Sequence, residues 1–272
     1  MFTAYKDAHV VVTGGANGIG KALALGFAKR GANVAVVDIH GDEAKAVAAE
    51  ITAMGCKSIA IQADVSVLDE CAKVYDTVMD AFGRCDVLVN DAGVSALSDV
   101  EHIPEKDLRW VFETNVYSHW FMMQKFLPQM RKQDTHCQIL NVCSIAGLIS
   151  MNGAPAYFSS KHAAVALSEC VYKQLKAENA DIDVSIFCPG YVQTEMHLTD
   201  RHRPERFAIH DDEPYYHTEQ YAGMVAFNKM LLDNGAPLDT AVETIFTALE
   251  KEQFYIPVSY THLRAHETSA HL

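Results

Sequence analysis

Short, nearly unbroken apolar runs recur along this chain, and between them lie longer stretches whose apolar positions repeat at helical spacing. The runs at 9–13, 33–38, 58–63, 87–90, 138–142, 184–188 and 254–257 are rich in β-branched residues. Strands that read this way are covered on both faces. The stretches at 20–30, 42–54, 69–82, 104–131 and 156–179 read as helices. Regular alternation of the two predicts repeated βαβ units, and therefore an α/β fold with one doubly wound parallel sheet and helices on both faces.

Two stretches break the rhythm. Residues 195–235 replace a plain crossover after the sixth strand with a long segment rich in His, Asp, Arg and aromatics, placed where a lid or substrate-binding insertion would sit. Residues 258–272 are polar and aperiodic, and 259–268 resemble translated vector or adapter DNA; this tail is expected to be non-native, and its histidines (His262, His266, His271) are left out of any functional reading.

Composition narrows the class. A chain of 272 residues, 49% hydrophobic and 21% charged, has the profile of a soluble globular protein with a sizeable core. No run reaches the roughly 18 apolar residues a membrane span needs, and the first residues lack the regions of a signal peptide. Cytoplasmic residence is the expectation. A net charge of −13 argues against nucleic acid or an anionic membrane as partner. Seven cysteines at irregular spacings, with no C-x-x-C, point to reduced and mostly buried thiols rather than to a disulfide framework or a zinc site.

The first strand runs into Thr13-Gly14-Gly15-Ala16-Asn17-Gly18-Ile19-Gly20 and then a helix. Strand, glycine turn and helix N-terminus together form a pyrophosphate cradle, because Gly allows close backbone approach and the free N–H groups face the anion. Asp38, at the end of the second strand and 18 residues past Gly20, can accept bonds from adenosine ribose hydroxyls and would repel a 2′-phosphate. Neither Asn17 nor Ile39 supplies a cation for such a phosphate, and His40 does so only weakly, so NAD is favoured over NADP. At the end of the third strand, Asp64 and Val65 offer either a contact to the adenine amine or an Asx-turn. Asn90-Asp91-Ala92-Gly93 ends the fourth strand, with small residues where a cofactor would pass; Asn90 is more simply a turn-holder than a chemical participant.

Tyr157 and Lys161 stand at i and i+4 on one face of a helix that opens after Pro155. Bringing a tyrosine from its ordinary pKa near 10 to a useful base near neutrality takes about 4 kcal/mol. One ammonium about 4 Å away, in an effective dielectric of about 20, supplies about that much. Ser144, just past the fifth strand, puts a hydroxyl at the sheet edge where it can donate to a carbonyl or alkoxide oxygen. Each feature alone occurs by accident or as a cap, but their order along one chain does not.

With these residues in place the chain resembles the short-chain dehydrogenase/reductase family over roughly residues 5–257. The family's T-G-x-x-x-G-x-G falls on Thr13, Gly14, Gly18 and Gly20, and its N-N-A-G on Asn90, Asp91, Ala92 and Gly93. Its catalytic Ser, Tyr and Lys fall on Ser144, Tyr157 and Lys161, its further Asn on Asn115, and its P-G motif on Pro189-Gly190, with Val192 and Thr194 following toward the nicotinamide. The resemblance implies a Rossmann-type domain over 1–257 and hydride transfer between NAD(H) and a secondary alcohol or ketone. It also implies that Tyr157 exchanges the proton, Ser144 polarises the substrate oxygen, Lys161 assists Tyr157 and binds the nicotinamide ribose, and Asn115 supports a water relay. One departure is plain: Asp91 stands where the family has a second Asn.

Other readings were open to test. A metal site on His197, His202, His210 and His217 with Asp211 and Asp212 lacks tight ligand spacing, so no metal is expected. A fold kept as an NAD-binding sensor or scaffold is the main alternative, weakened by the intact Ser, Tyr and Lys. Asp38 disfavours an NADPH-dependent oxoacyl reductase, and the glycine spacing a sugar-nucleotide epimerase. Tyr191, Met196, Phe207, Tyr215, Tyr216, Tyr221, Met224 and Phe227 suggest a roomy apolar pocket, suited to a hydroxysteroid, bile acid or other bulky alcohol, unless they simply pack against the sheet edge. Exposed-looking Trp110, Trp120, Phe121, Leu167 and Val171 lie on helices that in the family form subunit contacts, which implies a homotetramer with a dimer as runner-up.

Overall fold

The computed structural model describes residues 5–209 and 213–257. Seven parallel strands form one sheet: β1 (His9–Thr13), β2 (Asn33–Asp38), β3 (Ser58–Gln62), β4 (Val87–Asn90), β5 (Cys137–Val142), β6 (Ile182–Cys188) and β7 (Tyr255–Pro257). Their order across the sheet is β3-β2-β1-β4-β5-β6-β7. This is the expected Rossmann-type doubly wound architecture, and the order reverses between β1 and β4, where such sheets open a crevice at their C-terminal edge. Helices α1 (Gly18–Lys29), α2 (Gly41–Ala53), α3 (Leu68–Phe82), α4 (Glu105–Phe112), α5 (Ser118–Met130), α6 (Pro155–Ala177), α7 (Glu219–Asp233) and α8 (Leu238–Leu249) complete the chain.

The unbroken apolar character of the strands follows from two cores, one on each face. Val10 and Val12 of β1 pack with Leu23 and Phe27 of α1 and Phe246 of α8, while Val11 between them packs with Val74 of α3 and Phe126 of α5. Alternate side chains of one strand thus feed opposite layers.

Two expectations need correction. The helix foreseen over 104–131 contains a π-helical turn at Glu113–Tyr117, between α4 and α5. Such single turns insert one residue and re-aim side chains, commonly at functional sites. Trp110, foreseen as exposed, is buried. It packs with Val94, Ala96, Ala156 and Phe207, and the Arg203 guanidinium lies 4.2 Å from its ring centre. Trp120 is open, with 54% of its surface exposed. Of the histidines and acids weighed for a metal, His210, Asp211 and Asp212 lie outside the described residues, as does the 258–272 tail. Among the described residues, ligand spacing is met only by His136, Asp183 and Glu252. They sit at the opposite edge of the sheet, where the Lys176 ammonium already pairs with Asp183 at 3.2 Å.

Candidate active site

The loop after β1 holds its shape through backbone bonds and glycine. Gly14 (φ 64°) and Gly18 (φ 53°) are left-handed, and a Cβ on Gly20 would lie 2.2 Å from the Gly14 carbonyl oxygen. No side chain fits there. Gly15 N–H donates to the Val37 carbonyl at 3.1 Å, and Ala16 N–H to Asp38 Oδ2 at 3.0 Å. The other Asp38 oxygen accepts the His40 N–H at 3.0 Å. Asp38 therefore fastens the loop to the end of β2 while it lines the cleft. The first turn of α1 has no acidic residue of its own; its Gly20 N–H is taken by the Asp91 carboxyl, and the N–H groups before it face the cleft for an anion. This cradle fits a dinucleotide's pyrophosphate.

Thr13, Asn90 and Asn141 lie in register at the ends of β1, β4 and β5. The Thr13 hydroxyl accepts the N–H groups of Asp91 (3.0 Å) and Ala92 (3.2 Å), and Asn90 Nδ2 donates to Asn141 Oδ1 at 2.8 Å. Asn90 thus ties β4 to β5 behind the cleft, while the turn it was expected to hold is held by the Thr13 hydroxyl. The Asp91 carboxyl accepts the Gly20 N–H; burial pushes it up to about 7, with the Lys161 ammonium pulling it down and Asp38 adding a smaller upward push.

Ser144 caps a short 3-10 turn (Ile145–Gly147). Its oxygen accepts the Ala146 N–H at 3.1 Å, and its own proton has the Pro189 carbonyl only at 3.5 Å. That contact is too long to compete strongly, so the hydroxyl is set up to donate to a third group in the cleft. Lys161 is buried, donates to the Val142 carbonyl at 3.1 Å, and holds its ammonium 5.8 Å from the Tyr157 ring centre. Asn115 comes from the π turn and is fully buried. Its Oδ1 accepts the Val94 N–H (2.8 Å), and its Nδ2 donates to the Val94 carbonyl (2.9 Å) and to Ser160 Oγ (3.0 Å). A Cβ on Gly93 would lie 3.4 Å from both Asn115 Oδ1 and Lys161 Nζ, so Gly93 lets these two groups close in.

One continuous cleft brings together Gly14, Asn17, Gly18, Ile19, Asp38, Asp64, Val65 and Gly93 with Ser144, Tyr157 and Lys161. Pro189, Gly190, Val192 and Thr194 line it too, whereas Gly20, Asn90 and Asn115 stand behind its wall. Of the eight residues expected to shape an apolar pocket, only Met196 lines this cleft. Phe207 joins the Trp110 cluster, and Tyr215, Tyr216 and Tyr221 pack on one another, with ring centres 5.3 to 6.1 Å apart. Their hydroxyls bond to Leu97, Asp107 and Asp200, respectively. Sequence reasoning missed Trp110, Thr114, Arg201, His202 and Pro204, which also line the cleft. Only their long-range packing reveals them.

A model of the short chain dehydrogenase family matches residues 8–205. The chain belongs to this family. A short-chain dehydrogenase with this site is an oxidoreductase of the alcohol/ketone class. It is 37% identical over 252 residues to a CLA biosynthesis dehydrogenase/reductase of Lactiplantibacillus plantarum, covering 93% of this chain and 88% of that one. It is 34% identical over 188 residues to a 1-deoxy-11-beta-hydroxypentalenate dehydrogenase of Streptomyces exfoliatus, covering 68% of each. The crystal structure of a short-chain dehydrogenase/reductase from Burkholderia phymatum in complex with NAD superposes with a TM-score of 0.92 at 27% identity, over 98% of this chain and 94% of that one. No helix among the described residues is long and apolar enough to cross a membrane.

Proposed function

We propose that this short-chain dehydrogenase uses NAD to interconvert a bulky, apolar secondary alcohol and its ketone. The observation that carries the reading is that Ser144, Tyr157 and Lys161 line one cleft with Gly14, Gly18 and Asp38. NAD, when bound, accepts or supplies the hydride. In oxidation Tyr157 takes the proton from the substrate hydroxyl, and in reduction it returns it to the carbonyl oxygen. Ser144 donates a hydrogen bond to that same oxygen, and the buried Lys161 ammonium stabilises the phenolate that forms. Gly14, Asn17, Gly18, Ile19 and Gly20 hold the pyrophosphate side, Asp38, Asp64 and Val65 the adenosine side, and Gly93, Lys161, Pro189, Gly190, Val192 and Thr194 the nicotinamide side.

NAD rather than NADP is supported by the Asp38 carboxylate, which would repel a 2′-phosphate. The His40 Nε2 is bonded to His202 at 2.9 Å and so is not open to such a phosphate. Arg201, the nearby cation the sequence did not reveal, is paired to Glu195 at 2.7 Å. A bulky substrate is supported by exposed apolar side chains on two elements that adjoin the cleft: Ile149 and Met151 on the loop between Ser144 and Tyr157, and Phe227 and Met230 on α7, whose Leu232 lines it. That loop meets α7 where Gly153 approaches Met224. The resemblance of the chain to a CLA biosynthesis dehydrogenase/reductase agrees with this. Hydroxysteroids and bile acids are the first alcohols to try. We read 1–257 as one working domain with 195–235 as its substrate lid, and Tyr117 and Trp120, exposed beside and on α5, as part of the contact of a homotetramer.

The test is NADH formation at 340 nm with a panel of secondary alcohols, NAD and NADP side by side, in the intact protein and in Tyr157→Phe. The expected result is turnover with NAD on bulky alcohols, lowered by roughly 10²-fold or more in the variant. Retention of the rate within a few fold would refute the role of Tyr157. Saturable NAD binding without turnover on any alcohol would favour the sensor.

A further inference from the structure

The segment after β6 does not stop at the reacting end of the cleft. Thr194, Met196, Arg201, His202 and Pro204 all line the same cleft as Asp38 and Asp64. His202 also bonds to His40, two residues past Asp38. The segment therefore roofs the adenosine half as well.

Two arginines fix it there, and they differ in burial. Arg203 is the anchor: with 6% of its side chain exposed, it pairs with Asp107 at 2.7 and 3.2 Å, and it lies over Trp110. Arg206 is 39% exposed. One of its terminal nitrogens donates to Asp64 Oδ2 at 2.6 Å, and the other to Ser66 Oγ at 2.6 Å and Glu113 Oε2 at 3.3 Å. The second Asp64 oxygen is taken by the N–H and hydroxyl of Ser66. The carboxylate that the sequence offers to adenine is thus held by a guanidinium from the roof. A buried ion pair opens at high cost, whereas a half-exposed one opens readily.

We propose that Arg206 is a positioning residue that clasps the 196–207 segment over the adenosine half of the cleft and so sets the rate at which the nicotinamide cofactor leaves. This rests on the reading that the cleft binds NAD at Asp38 and Asp64. Roofed at both ends, the cofactor leaves only after the segment lifts, and the clasp is the end of the segment that gives first.

Stopped-flow fluorescence of NADH displaced by excess ADP-ribose reads this rate in the intact protein, in Arg206→Met and in Arg206→Lys. The release rate rises roughly tenfold in Arg206→Met, the loss expected for one or two half-exposed charged bonds, with a smaller change in association. Arg206→Lys keeps a cation for Asp64 but cannot span all three partners, and falls between. Added salt speeds release from the wild type but not from Arg206→Met. In the absence of cofactor, backbone amides of 196–207 exchange faster in Arg206→Met. If that variant does not fold, Ser66→Ala removes one clasp contact and shows a smaller rise. A release rate within about twofold of wild type overturns the proposal. Weaker binding caused by slower association alone also overturns it, because Arg206 would then be a contact and not a clasp. Failure of the wild type to bind NADH at all overturns the cofactor reading, and this proposal with it.

Discussion

Asp91 is the place where the chain departs from its family's motif, and the site shows what the departure costs. Its carboxyl accepts the Gly20 N–H, and burial raises it from 3.8 to about 7. The folded form therefore binds this proton more tightly than the unfolded chain. Below about pH 4 both states are protonated and the residue is neutral for stability. As pH rises toward 7 the unfolded chain gives up the proton and the folded form does not, so stability falls; above about 7 the penalty is constant. A gap of about 3 pH units is worth about 4 kcal/mol. The carboxyl keeps a window onto the cleft, and solvent screening there reduces this to about 2 kcal/mol. Asp91→Asn keeps the shape, and its amide oxygen still accepts the Gly20 N–H, but the charge is gone. At about 2–4 °C per kcal/mol for a protein of this size, the variant should melt roughly 4–8 °C higher at pH 8. Calorimetric melting of both cofactor-free proteins across pH 5–8.5 checks it: the difference in Tm grows with pH and levels off once the wild-type carboxyl has ionised. A difference independent of pH, or a wild type more stable at pH 8, would refute the argument.

Gly20→Ala should fold, by circular dichroism, yet lose at least about tenfold in NAD affinity by titration calorimetry, because its Cβ meets the Gly14 carbonyl at 2.2 Å and forces the loop apart. Arg203→Met should lower unfolding stability in denaturant by about 3–5 kcal/mol, because it leaves Asp107 buried without its guanidinium; a loss under about 1 kcal/mol would make the pair no more than an exposed one.

The strands were legible because a parallel strand covered on both faces leaves an unbroken apolar run, and β1, β2 and β4 begin and end where the sequence put them. The residues proposed to react were legible because each belongs to a local motif: a loop between adjacent elements, or a pair one helical turn apart. The π turn left no mark, since one inserted residue hardly disturbs apolar periodicity in a helix as long as 104–131. Trp110 looked exposed because what covers it, Arg203 and Phe207, arrives from the far end of the chain. The same is true of Arg206, which meets Asp64 across 142 residues. Aromatic content alone suggested a pocket lining, but Tyr215, Tyr216 and Tyr221 each found a hydrogen-bond partner and packed together instead.

Asn115 shows why placing a residue is not the same as giving it a task. By resemblance it supports a water relay, yet every hydrogen-bonding site on its amide that the geometry engages is spent on Val94 and Ser160. Its side chain is turned inward, behind the cleft wall, and has no proton left to offer toward the reacting groups. What it does instead is mechanical. It ties the π turn to the backbone just past Gly93, on one side, and to α6 through Ser160, one residue before Lys161, on the other. The fit of Gly93 between Asn115 and the Lys161 ammonium depends on that tie. Any part Asn115 plays in proton movement then falls to its main chain, where a π turn disturbs the regular pairing of helical carbonyls. The side chain's own bonds hold that turn to Val94 and to Ser160, beside Lys161.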